Sequence, residues 1–206
     1  MKKIVFFALI LFFQTLNLVK INAQNLDYQT LKNIEKLRSP SDTKINHFLS
    51  DIDAPICIGA PILIYGVGLI QKDEKLKAQG LEFGVAFAAT VAGTYALKYM
   101  VNRPRPYVTH PDLVPLGSES SRSFPSGHTS SAFSLATSLS LNYPKWYVAV
   151  PAFAWATATG YSRMYLGVHY PTDVLTGAAL GAGTAWLTHV LNKKWLKSKK
   201  KTVSLI

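Results

Sequence analysis

The chain has 206 residues, of which 49% are hydrophobic and 16% are charged. That length suits one domain with a substantial apolar core, and the mean hydropathy of +0.15 is high for a soluble protein of this size. Lysine and arginine outnumber aspartate and glutamate by 22 to 11, which suits nucleic acid, an anionic membrane surface or a phosphorylated substrate. Nucleic acid is the weakest of these partners, since neither a zinc-finger spacing nor a basic–aromatic RNA motif occurs. The single cysteine excludes an intrachain disulfide.

The N-terminal segment 1–23 predicts a secretory signal peptide. Lys2 and Lys3 form a positive n-region, an unbroken apolar run follows at 4–13, and a cleavage site follows Ala23. An uncleaved anchor is the alternative, but the apolar run is shorter than the roughly 20 residues needed to span hydrocarbon. With either outcome, residue 24 onward starts outside the cytoplasm.

Five hydrophobic stretches follow a polar lead-in segment at 24–50, whose weak apolar periodicity predicts a short amphipathic helix. They predict an all-α fold, a bundle of about five transmembrane helices at 51–195, with a basic cytoplasmic tail at 196–206. Two stretches are short for a full span and rich in small residues, and Gly177 and Gly181 have the spacing of a close helix–helix contact. The stretches lie at about 52–71, 80–101, 127–142, 146–162 and 172–192.

Lysine-rich segments orient this bundle. They lie between the first two stretches, between the third and fourth, and after the fifth, and positive loops stay in the cytoplasm. Five spans from an outside start put all three segments inside, so the connections 102–126 and 163–171 fall together on the outer face of the cytoplasmic membrane. The lysines are Lys72, Lys75, Lys77, Lys145, Lys193, Lys194, Lys197, Lys199, Lys200 and Lys201.

Two clusters in the first outer connection combine cations with a helix start. Lys98 ends a long apolar helix, where snorkelling to the interface is a lysine's ordinary role. Arg105 lies in a proline-stiffened loop, where a guanidinium group either clamps an anion or is solvated. Ser126 is the expected N-cap of the next helix, and Gly127 lets the backbone approach a ligand. Such a helix start favours phosphate, and His128 in its first turn is either a polar cap residue or a catalyst beside that anion.

The third cluster pairs a histidine with a carboxylate. Asp173 follows His169 by four positions and can accept a hydrogen bond from one imidazole nitrogen, which leaves the other nitrogen unprotonated. That pair is half of a nucleophile system, and the alternative is a carboxylate that only neutralises a helix dipole. A metal site is disfavoured because Lys98, Arg105 and Arg163 would repel a cation. We therefore expect an anion site.

Together the three clusters resemble the complete signature of the type 2 phosphatidic acid phosphatase (PAP2) superfamily. The pattern is Lys-x6-Arg-Pro, Pro-Ser-Gly-His and Ser-Arg-x5-His-x3-Asp, in that order, within residues 98–173. The resemblance implies a helical bundle with these motifs converging at one end and with no metal or other cofactor. The matched positions are Lys98, Arg105, Pro106, Pro125, Ser126, Gly127, His128, Ser162, Arg163, His169 and Asp173.

The resemblance also implies a role for each polar side chain. His169 would attack phosphorus to give a phosphohistidine, Asp173 would orient it, and His128 would protonate the leaving group and then activate water. Arg103 and Arg122 lie outside the matched positions; solvated loop residues are expected, and contact with a second phosphate or a lipid headgroup is the alternative. The residues implied to hold the phosphate are Lys98, Arg105, Ser126, Gly127 and Arg163.

These features predict an integral-membrane phosphatase that acts on a lipid phosphate or lipid diphosphate, surrounded by membrane lipids and without a nucleic-acid partner. A soluble secreted acid phosphatase of the same superfamily is one alternative. A vanadate-dependent haloperoxidase is another, although the sequence has no feature for halide chemistry. A non-catalytic membrane transport or scaffold subunit is the alternative from another class, and it would not need an intact set of His128, His169 and Asp173.

Overall fold

A computed structural model describes the backbone of residues 25–203 and the side chains of residues 25–194. Within this part of the chain every regular element is a helix, as the sequence predicts. The predicted signal peptide lies outside the described residues. The helices are α1 (25–36), α2 (Pro40–Asp51), α3 (Asp53–Ile70), α4 (Glu74–Val101), α5 (Pro106–Thr109), α6 (Gly127–Asn142), α7 (Trp146–Tyr165) and α8 (Pro171–Val203).

Among the described residues, three helical stretches are long and apolar enough to cross a membrane, namely Pro40–Ile70, Glu74–Thr109 and Pro171–Lys194. Helices occupy all five predicted hydrophobic stretches, but α6 has only 16 residues against the roughly 20 that span hydrocarbon. The helical nature of the five stretches is confirmed, and the count of five membrane spans stays a prediction.

Helices α6 and α8 approach each other more closely than side chains would allow. A Cβ atom on Gly181 would lie 2.0 Å from the carbonyl oxygen of Ser130, and one on Gly177 would lie 2.7 Å from that of Ser126. Only glycine fits such a contact, so the close-packing spacing predicted from the sequence is confirmed. The contact fixes α8 against the start of α6, and the first turns of these two helices carry His128 of the second motif and Asp173 of the third.

The motif-bearing loops lie at one end of the bundle, where α4 and α7 end and α6 and α8 begin. The amide of Leu116 donates to the carbonyl oxygen of Leu166 at 2.9 Å, and the amide of Ser126 donates to that of Asp173 at 3.0 Å. The prediction that the two connections meet is therefore confirmed. The membrane face on which they lie stays a prediction.

The lead-in segment forms two helices that pack onto this end of the bundle. Leu31 of α1 packs with Leu113 and Tyr170 of the motif-bearing loops. Helix α2 is followed by α3 with only Ile52 between them, so the predicted boundary after residue 50 falls inside a nearly continuous helical stretch. The lead-in is thus part of the packed structure around the motifs.

Candidate active site

A cavity of about 250 Å³ lies where the motifs meet. Five of the eight predicted site residues line it: Lys98, Arg105, Gly127, His128 and His169. Its other lining residues include Glu119 and, from α3 and α4, the side chains of Ala54, Phe87, Val91 and Tyr95. One wall is therefore charged, and the wall from α3 and α4 is mainly apolar, with Asp53 and Thr94 as its polar members.

A glycine turn after α7 places the histidine of the third motif. Gly167 has a φ of +74°, a left-handed conformation that ends many helices, and its amide donates to the carbonyl oxygen of Met164 at 2.9 Å. A Cβ atom there would lie 2.9 Å from Nη2 of Arg38. The chain reverses at this turn, and the amide of His169 donates to the carbonyl oxygen of Arg163 at 3.3 Å.

The two ring nitrogens of His169 have different partners. Nη1 of Arg105 lies 3.2 Å from Nε2, while Nδ1 lies 3.5 Å from Oδ2 of Asp173, which is longer than an ordinary hydrogen bond. A guanidinium group only donates, so we assign the lone pair to Nε2 and the proton to Nδ1. That tautomer presents an unprotonated nitrogen to the cavity, as the sequence predicts for a nucleophile.

Burial keeps this imidazole neutral. Burial lowers the pKa of His169 from 6.5 to about 3, Asp173 opposes that shift, and Arg105 adds to it. The sequence left open whether Asp173 would favour the charged form of the ring. Because loss of hydration outweighs the attraction of one carboxylate, the histidine is neutral at neutral pH.

Asp173 is fully buried. In addition to its approach to His169, its carboxylate accepts three hydrogen bonds. Ser123 Oγ donates at 2.5 Å, the amide of Tyr170 at 2.9 Å and Arg103 Nη1 at 2.8 Å. The expectation that Arg103 is a solvated loop residue is wrong, because two buried carboxylates, of Asp173 and Asp27, require a cation between them. Sequence reasoning also missed Ser123, which lies outside every motif.

Backbone carbonyl oxygens of both motif-bearing loops hold the cations at the cavity. Arg105 donates to the carbonyl oxygens of Ser121 at 2.9 Å and Val168 at 2.7 Å. Lys98 is buried and donates to the carbonyl oxygen of Arg122, so it turns inward to the cavity and does not snorkel to the interface. The side chain of Arg122 itself is exposed, as expected.

A carboxylate that the sequence did not single out pairs with Arg163, the third cation predicted to hold phosphate. Arg163 is buried and donates to Glu119 and to Ser50. The other carboxylate oxygen of Glu119 lies 3.8 Å from Arg105. Burial acts to raise the pKa of Glu119, but Arg163 and Arg105 outweigh it and hold that pKa below its usual value. An anion of the protein thus lies between two cations predicted to hold phosphate.

Ser126 caps α6 as predicted. Its hydroxyl accepts from the amide of Thr129 at 3.5 Å and from Oγ1 of the same residue at 2.9 Å, and its own amide donates to the backbone carbonyl oxygen of Asp173. Ser126 is fully buried and does not line the cavity, whereas Gly127 does. The structure therefore places the Ser126 hydroxyl in the helix cap, and a direct contact with phosphate stays a prediction.

The fold and the site define a helical membrane protein with a neutral, buried histidine among cations at one end of the bundle. The model of the PAP2 superfamily matches residues 79–197, which is more than half of the chain. The protein therefore belongs to the PAP2 superfamily, as the three motifs indicate.

Relatives in this family match the chain to different extents. Phosphatidylglycerophosphatase B of Bacillus subtilis is 30% identical over 86% of this chain and 89% of that protein. The crystal structure of a transmembrane PAP2-type phosphatidylglycerolphosphate phosphatase from Bacillus subtilis superposes with a TM-score of 0.71 at 30% identity, over 91% of this chain and 95% of that one.

A lipid A 4'-phosphatase of Bacteroides thetaiotaomicron is 37% identical over 34% of this chain. This chain spans only 32% of the length of that relative. Together, the apolar helices and the transmembrane structural relative make this chain a multi-pass membrane protein.

Proposed function

We propose that this protein is a membrane phosphatase that removes a phosphoryl group from a lipid phosphate or lipid diphosphate through a phosphohistidine at His169. The observation that carries the proposal is the 3.2 Å contact of Arg105 Nη1 with Nε2 of His169. This contact supports Nε2 as the neutral ring nitrogen that carries the lone pair, and cations lie beside it. Attack on a phosphate requires this combination of a nucleophile and nearby positive charge.

The two histidines divide the chemistry. In the first step Nε2 of His169 attacks phosphorus and the P–N bond forms. The P–O bond to the lipid breaks as His128 passes a proton to the departing oxygen, and the substrate brings that proton by binding in its singly protonated form. In the second step His128 takes a proton from water, the water oxygen attacks phosphorus, and the P–N bond breaks to release phosphate. Asp173 faces the protonated Nδ1 of His169 at 3.5 Å, and its negative charge offsets the positive charge that the ring gains.

The cations at the cavity bind the phosphoryl oxygens. Lys98 and Arg105 line the cavity beside His169, and Gly127 presents the first turn of α6 with its free amide groups. Arg163 joins them when phosphate replaces Glu119 as its partner. Ser126 supports this set through the helix cap, and its hydroxyl is the remaining predicted ligand.

The apolar wall of the cavity supports a lipid as the substrate. Ala54 of α3 and Phe87, Val91 and Tyr95 of α4 continue from the charged wall, so a phosphate at His169 has an apolar surface beside its organic group. The relatives described above are named for phosphatidylglycerophosphate and lipid A, and both of these are phosphorylated lipids.

The lysine-rich segments support a site on the outer face of the cytoplasmic membrane. Lys75 opens α4, Lys145 precedes α7, and Lys194 lies toward the end of α8, whereas the site lies at the opposite end of each helix. Positive loops are retained in the cytoplasm. If all five hydrophobic helices span the membrane, the site therefore faces the periplasm or cell exterior.

Purified protein in detergent tests the chemistry. We expect wild-type protein to form an acid-labile, base-stable phosphoenzyme, and His169→Ala to lose both the phosphoenzyme and turnover while still binding vanadate. His110→Ala is the matched control, because His110 stacks on Tyr28 outside this cavity. Substantial turnover by His169→Ala would overturn the nucleophile assignment.

A substrate panel tests the lipid. Phosphate release is compared for a polyprenyl diphosphate, phosphatidate, phosphatidylglycerol phosphate, a phosphorylated lipid A and the water-soluble p-nitrophenyl phosphate. A kcat/KM for one of the lipids that is at least about 100-fold above that for the soluble ester corresponds to about 2.7 kcal/mol of binding to the organic group. Equal values for the lipids and the soluble ester would favour an acid phosphatase of small esters.

A further inference from the structure

Arg103 joins the site to the first described helix. Nη1 lies 2.8 Å from Oδ1 of Asp173, and Nη2 lies 2.7 Å from Oδ2 of Asp27 in α1. The centre of the guanidinium group lies 3.8 Å from the ring centroid of Tyr170, which fixes the plane of the group. Arg103 therefore has one orientation, set by an ion pair on each side and an aromatic ring.

Asp27 holds the far end of this link. It is 2% exposed and also accepts from the amide of Thr172 at 3.0 Å and from its hydroxyl at 2.5 Å. A buried carboxylate needs both a counterion and hydrogen bonds, and Asp27 has them only while α1 is docked against the start of α8. Docking of α1 and the orientation of Arg103 are therefore coupled.

The link fixes the carboxylate that faces the nucleophile. Arg103 occupies Oδ1 of Asp173, while Ser123 Oγ and the amide of Tyr170 occupy Oδ2. Rotation of the carboxyl group would break bonds to both oxygens. Oδ2 is thereby held 3.5 Å from Nδ1 of His169, in reach of the ring when that nitrogen must keep its proton.

We propose that Asp27 and Arg103 are positioning residues for His169, which act through Asp173 to hold the imidazole in the tautomer that attacks phosphorus. The inference rests on the proposed function, since it concerns the rate at which His169 becomes phosphorylated. Neither residue touches the cavity that holds His169, so they affect the chemical step and leave phosphate binding nearly unchanged.

Lysine and asparagine variants test the link with matched controls. Arg103→Lys keeps the charge, but one ammonium group cannot bridge two carboxylates and stack on Tyr170. Arg122→Lys is the same change at an exposed side chain of the same loop. Asp27→Asn removes the second ion pair, and Asp112→Asn removes a different tie to α1, since Asp112 accepts from Tyr28 and Lys32 and not from Arg103.

The measurements are the single-turnover rate constant of phosphohistidine formation and the steady-state kcat and KM, with kcat calculated from Vmax and the concentration of sites titrated with vanadate. We expect Arg103→Lys and Asp27→Asn to lower the phosphorylation rate by about 10- to 100-fold, the usual range for partners that orient a functional histidine, with KM changed less than about 3-fold. Both controls should stay within about 2-fold. The double variant should be no slower than Arg103→Lys alone, because both changes break one link.

Chemical rescue separates positioning from a purely structural role. A cavity of about 280 Å³ is lined by Arg103, Tyr28 and Tyr170, so free guanidinium can reach the space left in Arg103→Ala and should restore part of the phosphorylation rate. Corrected rates within 2-fold of wild type in Arg103→Lys and Asp27→Asn, or a loss confined to KM or to the number of vanadate sites, would overturn the inference. If wild-type protein itself forms no phosphohistidine, the proposed function fails instead.

Discussion

Glu119 pairs with Arg163 in the wall between two cavities. Glu119 and His128 line both cavities, whereas His169 lines only the first and Arg163 only the second, which has a volume of about 190 Å³. The carboxylate thus occupies a position between the cations that are proposed to hold phosphate. A phosphate that binds Arg105 and Arg163 together must replace Glu119 as their partner, and breaking that ion pair opposes binding.

Glu119→Gln should bind phosphate analogues more tightly. The amide keeps the size of the side chain but forms no ion pair, so the arginines are available to the ligand, while Arg163 loses the partner it has in the unliganded protein. We expect a lower melting temperature without ligand, a larger rise with vanadate, and a vanadate Kd about 3- to 10-fold lower. Differential scanning fluorimetry in detergent measures all three.

The matched control is Glu74→Gln, because Glu74 is exposed and pairs with Lys77 in the following turn, far from the site. An unchanged or smaller rise with vanadate in Glu119→Gln would show that the carboxylate is not displaced by the ligand and contributes to binding instead.

The sequence predicts those contacts of the site that join residues close together in the chain. His169 and Asp173 are four residues apart, so their contact follows from one turn of chain, and the helix start at Gly127 follows from its N-cap. The charged partners that the sequence did not predict are distant from each other in the chain. Arg103 is 76 residues from Asp27 and Glu119 is 44 residues from Arg163, and a charged residue in a loop does not reveal which buried charge will need it.

The same division holds for the fold. Hydrophobic stretches predict five helices, and the spacing of Gly177 and Gly181 predicts a close contact, because both depend on local composition. The docking of the polar lead-in onto the motif loops was not predicted, since Leu31 and Ile34 form only a weak apolar pattern. Their partners, among them Tyr170 and Val168, lie at the far end of the chain.

Acid should destabilise the protein through His169. The pKa of this buried histidine is lowered from 6.5 to about 3, so between these values the unfolded chain binds a proton that the folded protein does not. Above pH 6.5 this histidine does not lower the free energy of unfolding. Below pH 6.5 the free energy of unfolding falls by up to about 1.4 kcal/mol per pH unit.

Melting temperatures of wild type and His169→Asn at pH 8 and pH 5 measure this effect. At pH 8 the histidine is neutral in both states and the difference between the two proteins serves as the reference. At pH 5 the difference should shift by several degrees in favour of the variant, since about 1 kcal/mol corresponds to about 2–4 °C for a chain of this size. An identical difference at the two pH values would contradict a neutral, buried His169.

The proposed orientation in the membrane can be measured with single cysteines. Cys57 is the only cysteine and is buried, so Cys57→Ala gives a background for labelling with a membrane-impermeant maleimide. Ser120→Cys lies in the exposed part of the site loop and Lys75→Cys is exposed at the opposite end of α4. In intact cells the first should be labelled and the second should not, and permeabilised cells should label both. The reverse pattern would place the site in the cytoplasm.

The contact between α6 and α8 should tolerate no side chain at Gly181. A methyl group there would meet the carbonyl oxygen of Ser130 at 2.0 Å and the amide nitrogen of Ser134 at 2.9 Å, and backbone atoms cannot move aside as a flexible side chain would. Separating the helices also separates His128 in the first turn of α6 from Asp173 in the first turn of α8. We expect Gly181→Ala to lower the melting temperature by roughly 5–10 °C, the size of an overpacked core contact, and to reduce kcat.

Gly183→Ala is the same substitution two residues further along α8, where a Cβ atom meets nothing within 4 Å. Alanine is the better helix former by about 1 kcal/mol, so this variant should melt at or slightly above the wild-type temperature with unchanged kcat. Equal melting temperatures for the two variants would contradict the close α6–α8 contact. A stable Gly181→Ala with reduced kcat would instead show that the spacing of the two helices matters more for aligning His128 with His169 than for folding.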